Sequence, residues 1–296
     1  VTFDDWLRDA GRARTTRRSY VRAVAAVGDL SPAAVAAYFR ARAGHSPSAL
    51  RVTLAALRAH AAFAGVPDPA AGVRVRRPKE TLPRPMPMAD VERLFARPDV
   101  RTPAGLRDRV ALELLLHGLR RHEVTQLTTG HLAVAGGTAV LRFRGKGGGE
   151  AEVVLNAATA ALLAEHVLRA RFAPDDLEDL LADHGGRWLA VLEAELRRMP
   201  PRPVFATGRG PAGTRWLNRM FARHRDGAGL APTWGPHSLR HTCATELVDR
   251  EVDIRVVQEV MRHKDIRMTM RYTQVSRGAK SRAAERLPIP AVRGDR

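Results

Sequence analysis

The chain has 296 residues, 45% of them apolar, and its 49 Lys and Arg against 31 Asp and Glu leave a net charge of +18. That length and apolar share suit a folded core in one large or two smaller domains and exclude wholesale disorder. No apolar run approaches the ~20 residues a membrane-spanning helix needs, no signal-peptide pattern opens the chain, and the one cysteine, Cys243, excludes an internal disulfide.

A reducing cytoplasm with no membrane partner is the expected location. Almost all of the positive excess is arginine, whose forked guanidinium suits phosphate oxygens. Nucleic acid is therefore the expected partner. An arginine bias from GC-rich coding, or a solvated surface alone, would leave the same composition.

Residues 1–66 read as about four short helices. "TTRRSYVRAVAAV" places Tyr20, Val21, Val24 and Val27 at helical spacing with arginines opposite. Ser31-Pro32 and Ser46-Pro47 each combine an N-cap serine with a first-turn proline, and Gly65 ends the last helix. Residues 67–88 hold six prolines and a basic cluster of Arg74, Arg76, Arg77 and Lys79. So many prolines break helices, and the stretch reads as a linker. Its arginines could follow a nucleic-acid backbone or be merely solvated.

A larger unit begins near Asp90. "GLRDRVALELLLHGLRRHEV" is helical, with apolar residues at 106, 110, 111, 114 and 115. Strand-like "HLAV", "TAVLRFR" and "EAEVVL" follow, the last two joined by the glycine-rich "GKGGG" as a β-hairpin. From Ala157 onward the pattern is again helical. The expected fold is mainly α with a small β-sheet or hairpin.

Four segments carry candidate site residues. In "GPHSLRHTCATEL", Gly235-Pro236 opens a helix, so His237 and Arg240 share the face of its first turns, where free N–H groups favour an anion. His237 and His241 also have the i, i+4 spacing of a metal pair. Ser238, however, stands where H-E-x-x-H has its glutamate, and no third ligand follows. In "HGLRRHEV", Arg120 follows the turn after an apolar helix, with Glu123 at i+3 to hold it. Lys146 tips the hairpin. "MRHKDIRMTMRYTQV" contains His263 and Tyr272. Each segment alone has an ordinary structural explanation: a capping histidine, a surface arginine, a solubilising lysine, a packed tyrosine.

In chain order, however, Arg120, Lys146, His237-x-x-Arg240, His263 and Tyr272 strongly resemble the tyrosine recombinases of the phage integrase family. "GLRRHEV", "GKGGGE", "HSLRHTCATEL" and "DIRVVQEVMRHKDIRMTMRYTQV" carry the resemblance. It implies an N-terminal helical core-DNA-binding domain (1–72), a basic proline-rich linker (73–88) and a C-terminal mixed α/β catalytic domain (89–296). The last would include a helical insertion at about 171–200 and a tail at 277–296.

The resemblance also implies a site-specific DNA recombinase that integrates, excises or resolves DNA through a 3′-phosphotyrosine on Tyr272. Arg120 and Arg240 would clamp the phosphate oxygens, Lys146 would protonate the leaving 5′-oxygen, and His237 would take or relay the tyrosine proton. His263 would hydrogen-bond the phosphate, and Glu123 would orient Arg120. The arginines and histidines neutralise charge, so neither metal nor cofactor is expected. The implied partner is double-stranded DNA, held by four protomers on two sites, with monomers or dimers off DNA. A type IB topoisomerase and a non-catalytic DNA-binding relative are the alternatives.

Three places depart from the family pattern. Arg262 stands where glycine usually precedes the histidine, and His117 and His122 flank the first motif where small hydroxyl residues are common. The insertion, with its acidic "APDDLEDLLADH", reads as a protein-contact surface or a padded surface helix.

Overall fold

Thr2 starts the first helix: its hydroxyl accepts the Asp5 N–H at 3.2 Å, while the Asp5 carboxylate accepts the Thr2 N–H. In the computed structural model the chain divides into two units, Val1–Thr81 and Leu82–Arg296. The structure describes residues 1–76, 84–144 and 150–273.

The first unit holds α1 (Phe3–Asp9), α2 (Arg14–Val27), α3 (Pro32–Ala41) and α4 (Pro47–Ala64). Ser31 caps α3 through the Ala34 N–H, and Gly65, at φ 66°, closes α4 in the left-handed conformation. Val35, Phe39, Leu50, Leu57 and Ala70 form the core, with Val24 and Val27 of α2 packed on it. Val21 is 40% exposed, so the inward stripe of α2 is narrower than its spacing suggests. Val73 and Val75 also pack on this core.

In the second unit Met86 is fully buried, and the Thr242 hydroxyl bonds both its N–H (2.8 Å) and its carbonyl (3.0 Å). Both ends of the proline-rich stretch are thus fastened to a unit, so less of it is free linker than prolines alone suggest. Residues 77–83 lie outside the described residues.

Helix α5 (Met88–Phe95) leads to α6 (Pro103–Leu116), which Thr102 caps through the Gly105 N–H at 3.0 Å. Leu106, Val110, Ala111, Leu112, Leu114 and Leu115 are all buried, so α6 is the axis of the unit. Burying each such leucine contributes about 1.5–3 kcal/mol. After α7 (Arg121–Thr125) come β1 (Leu132–Ala135), β2 (Thr138–Arg144) and β3 (Glu150–Val154). They form an antiparallel sheet in the order β1-β2-β3, with the strand-like "HLAV" joining the expected hairpin. Leu141 pairs with Val153 on the buried face, while Val154 faces outward at 62% exposed.

Helix α8 (Ala157–Arg169), capped by Asn156, packs on α6 and β2. The expected insertion holds α9 (Pro174–Asp183) and α10 (Trp188–Leu196). A padded surface helix does not describe it: Leu177, Val191 and Leu192 belong to the main core, and α10 packs on α8 and β1. The acidic face of α9, with Asp175, Asp176, Glu178 and Asp179, is exposed. A short hairpin of β4 (Ala206–Thr207) and β5 (Gly210–Pro211) precedes α11 (Thr214–Gly227). The last three helices are α12 (Pro236–Asp249), α13 (Ile254–Val260) and α14 (Ile266–Thr273).

Candidate active site

Gly118, at φ 79°, turns the chain out of α6, and a Cβ there would lie 3.2 Å from the Met261 sulfur. The turn leaves Arg120 at the N-cap of α7. Its N–H donates to Glu123 Oε2 at 2.7 Å and its Nη1 to Oε1 at 2.8 Å. The i+3 spacing is thus a reciprocal clamp between backbone and side chain.

Arg240, in the second turn of α12, is 6% exposed and donates to the carbonyls of Gly118 and Met261. Arg120 Nη2 donates to the next carbonyl, that of Arg262, at 2.9 Å. Successive carbonyls after α13 therefore hold the two guanidinium groups side by side. Burial, together with Arg120 and Arg262, lowers the pKa of Arg240 to about 10.

The family departure at Arg262 has a geometry of its own. Its backbone is left-handed, with φ 50°, the conformation that glycine adopts freely. Its side chain turns back to donate to Glu123 Oε2 at 2.6 Å and to the Gly118 carbonyl at 3.0 Å. Burial raises the Glu123 carboxyl, but Arg262 and the Arg120 hydrogen bonds outweigh it and hold the group below the ordinary range. Three guanidinium groups around one carboxylate leave an excess of positive charge, which suits an anion.

His263 is 8% exposed, with Nδ1 2.9 Å from the Thr269 hydroxyl and its ring parallel to that of Tyr272, 6.3 Å between centroids. Burial and the neighbouring Arg240, Arg120 and Arg262 lower its pKa to about 4, so the imidazole is neutral near pH 7. Tyr272, 4% exposed, packs with Cys243, Ala244, Val257 and Met261 in a small core of its own. Burial raises its pKa.

Of the expected residues, Arg120, Glu123, Arg240, His263 and Tyr272 come together from three separate stretches of chain. His237 sits in the first turn of α12 with its side chain exposed, and its pKa is lowered by partial desolvation and by Arg121, Arg240 and Arg120. The expected link from His237 to the tyrosine differs in the structure: the Tyr272 hydroxyl is 2.8 Å from Nδ1 of His241. Burial, His237 and Arg240 lower the His241 pKa. The i, i+4 pair pointed to His241, but as a metal ligand.

Ser238 accepts the Gly235 N–H, a capping role. His117 ties the end of α6 to the start of α8, with Nδ1 at the Glu113 carbonyl and Nε2 accepting the Asn156 N–H. The His122 side chain is exposed. Arg74 and Arg76 are exposed in the first unit. Lys146, Arg77, Lys79 and the 277–296 tail lie outside the described residues.

The site can hold a tetrahedral anion between Arg120 and Arg240 and offer it a phenol flanked by two imidazoles. The sequence profile of the phage integrase family matches residues 85–278. The chain is 34% identical to tyrosine recombinase XerD of Pseudomonas aeruginosa over 71% of its own length and 63% of that protein. It is 34% identical to XerC of Myxococcus xanthus over 68% and 62%, so these alignments span a little under two thirds of either relative. Its fold is similar to the Tn1549 transposon integrase in complex with transposon right-end DNA (TM-score 0.64, 17% identity, 95% of this chain and 98% of that one). It is also similar to a lambda integrase dimer bound to a COC′ core site (TM-score 0.60, 16% identity, 91% and 92%).

Proposed function

The chain belongs to the phage integrase family, and from that premise we propose that it is a site-specific recombinase, cutting and rejoining DNA through a phosphotyrosine on Tyr272. Arg120 and Arg240 clamp the non-bridging oxygens, where charge builds as Tyr272 attacks the phosphorus. Each such preorganised donor contributes about 2.7–4 kcal/mol. Nδ1 of His263 is engaged by the Thr269 hydroxyl, and with that hydroxyl as donor Nε2–H is left to hydrogen-bond the phosphate. Lys146 protonates the departing 5′-oxygen. The covalent link conserves the bond energy, so the freed 5′-hydroxyl can rejoin a strand without a nucleotide cofactor.

Glu123 is a positioning residue, fixing Arg120. The first unit and the basic stretch from Arg74 to Lys79 grip double-stranded DNA, and four protomers act on two sites. One observation carries the reading: the successive carbonyls of Met261 and Arg262 hold Arg240 and Arg120 together, next to the stacked His263 and Tyr272 rings.

The test uses a pool of duplexes with a randomised central segment and a nick in one strand, incubated with the full chain and recovered as SDS-resistant complexes. A specific duplex should accumulate, joined to Tyr272 through a 3′-phosphate. No covalent complex, or one that survives Tyr272→Phe, overturns the reading.

A further inference from the structure

The hydroxyl of Tyr272 meets one imidazole nitrogen, and it belongs to a histidine that the mechanism above leaves idle. We propose that His241, rather than His237, takes the Tyr272 proton as the phenol attacks; the inference rests on the phosphotyrosine reading. Nδ1 of His241 lies 2.8 Å from the phenol oxygen, a hydrogen bond already in place for proton transfer. The α12–α14 contact that creates it brings together residues 31 apart, so two elements of the fold hold it.

Neither of the other imidazoles fits this task. His263 has Nδ1 engaged by Thr269, and its ring runs parallel to the phenol ring rather than meeting the hydroxyl. His237 stands one turn earlier on α12, among Arg120, Arg121 and Arg240, where it suits the phosphate instead. The groups that face His241 are His237 and Arg240 on its own helix, with Tyr272 and His263 from the segment packed against it. Two of these neighbours, with burial, keep the His241 imidazole neutral near pH 7, its lone pair open to a proton.

The step balances as follows. Nδ1 of His241 receives the phenol proton, while Nε2 keeps its own. The Tyr272 oxygen forms a bond to phosphorus, and the P–O5′ bond breaks. The 5′-oxygen leaves with a proton from Lys146. On rejoining, the 5′-hydroxyl attacks phosphorus and returns its proton to Lys146, the Tyr272–phosphorus bond breaks, and His241 gives the proton back to the phenol oxygen.

The experiment measures covalent-complex formation on the duplex recovered above, nicked beside the joint so that the cut strand diffuses away. His241→Asn is the informative variant, because its amide oxygen can take the place of Nδ1 and keep the hydrogen bond without taking a proton. The expected result is a loss of about a hundredfold or more near pH 7, with the residual rate rising about tenfold per pH unit as the phenol ionises unaided. His237→Asn keeps the wild-type pH profile, whatever its rate. A fluorotyrosine at position 272, with its more acidic phenol, narrows the gap between His241→Asn and the parent. A purely structural role for His241 would move neither the pH slope nor that gap.

His241→Asn within threefold of the parent, or with the parent's pH profile, overturns the proposal while leaving the phosphotyrosine reading intact. Failure of the parent chain to form the complex sinks the phosphotyrosine reading and this inference together. Should His241→Asn not fold, nitrogen-15 shifts of His241 in the parent chain decide the matter. A protonated Nε2 with a bare Nδ1 supports the proposal, and the opposite tautomer overturns it.

Discussion

Arg262 and Glu123 meet at 2.6 Å across 139 residues of sequence, although the Arg262 backbone is left-handed. A side chain thus occupies a left-handed position that glycine would leave bare, and the ion pair it makes offsets the cost. The left-handed conformation costs a residue with a Cβ about 1–2 kcal/mol. A hydrogen bond between charged groups returns about 1.5–3 kcal/mol.

Arg262→Gly removes the ion pair and the backbone cost together, and should destabilise the chain by only about 1 kcal/mol. Arg262→Ala removes the pair and keeps the cost, so it should lose about 2–3 kcal/mol. Urea unfolding of the two variants checks the order. Alanine as stable as glycine would disprove a backbone contribution at this position.

Tyr272 holds its segment by its ring, while the proposed chemistry uses its hydroxyl, and two variants separate the roles. Tyr272→Phe keeps the packing and loses one hydrogen bond, at about 1 kcal/mol, while forming no covalent complex with DNA. Tyr272→Ala opens a cavity beside Val257 and Met261 and should cost about 3–5 kcal/mol. Thermal unfolding should rank them in that order.

Helix α10 should be intolerant of change. Leu192→Ala, in the main core, should destabilise by about 2–5 kcal/mol. Glu178→Lys and Asp179→Lys, on the exposed face of α9, should stay within about 0.5 kcal/mol of the parent. Denaturant midpoints test both. A tolerant Leu192 would return the segment to the status of surface padding.

His263 makes stability depend on pH in a defined direction. Its pKa falls from an ordinary 6.5 to about 4 on folding, so as pH drops the unfolded chain takes the proton first. The stability linked to the neutral ring is intact above pH 6.5 and is lost as pH falls toward 4. His263→Gln should flatten the stability curve across that window relative to the parent. A curve of unchanged slope would show that the ring titrates normally.

The parts of the site that can be read in the sequence are those set by local spacing. Glu123 reaches Arg120 because i+3 on a short helix brings them together, and Ser31-Pro32 starts a helix by capping alone. The resemblance to the phage integrase family then linked Arg120, Arg240, His263 and Tyr272. What resisted reading depends on long-range packing. The His241–Tyr272 contact exists only once α14 lies on α12, and the i, i+4 spacing to His237 suggested metal. Arg262 hid behind a backbone conformation and a partner far away in sequence. In the 171–200 segment the acidic face of α9 lies beside "WLAVLEAEL", whose apolar residues enter the core only through packing on α8 and β1.

The small cluster around Tyr272 is separate from the main core built on α6. Segments with their own minor core open as cooperative blocks, at less free energy than global unfolding requires. The stretch from α13 to α14 should therefore exchange its amide hydrogens in one step, well before α6 does. The phenol of the proposed reaction would then sit in a detachable panel, one that could open without loosening the frame.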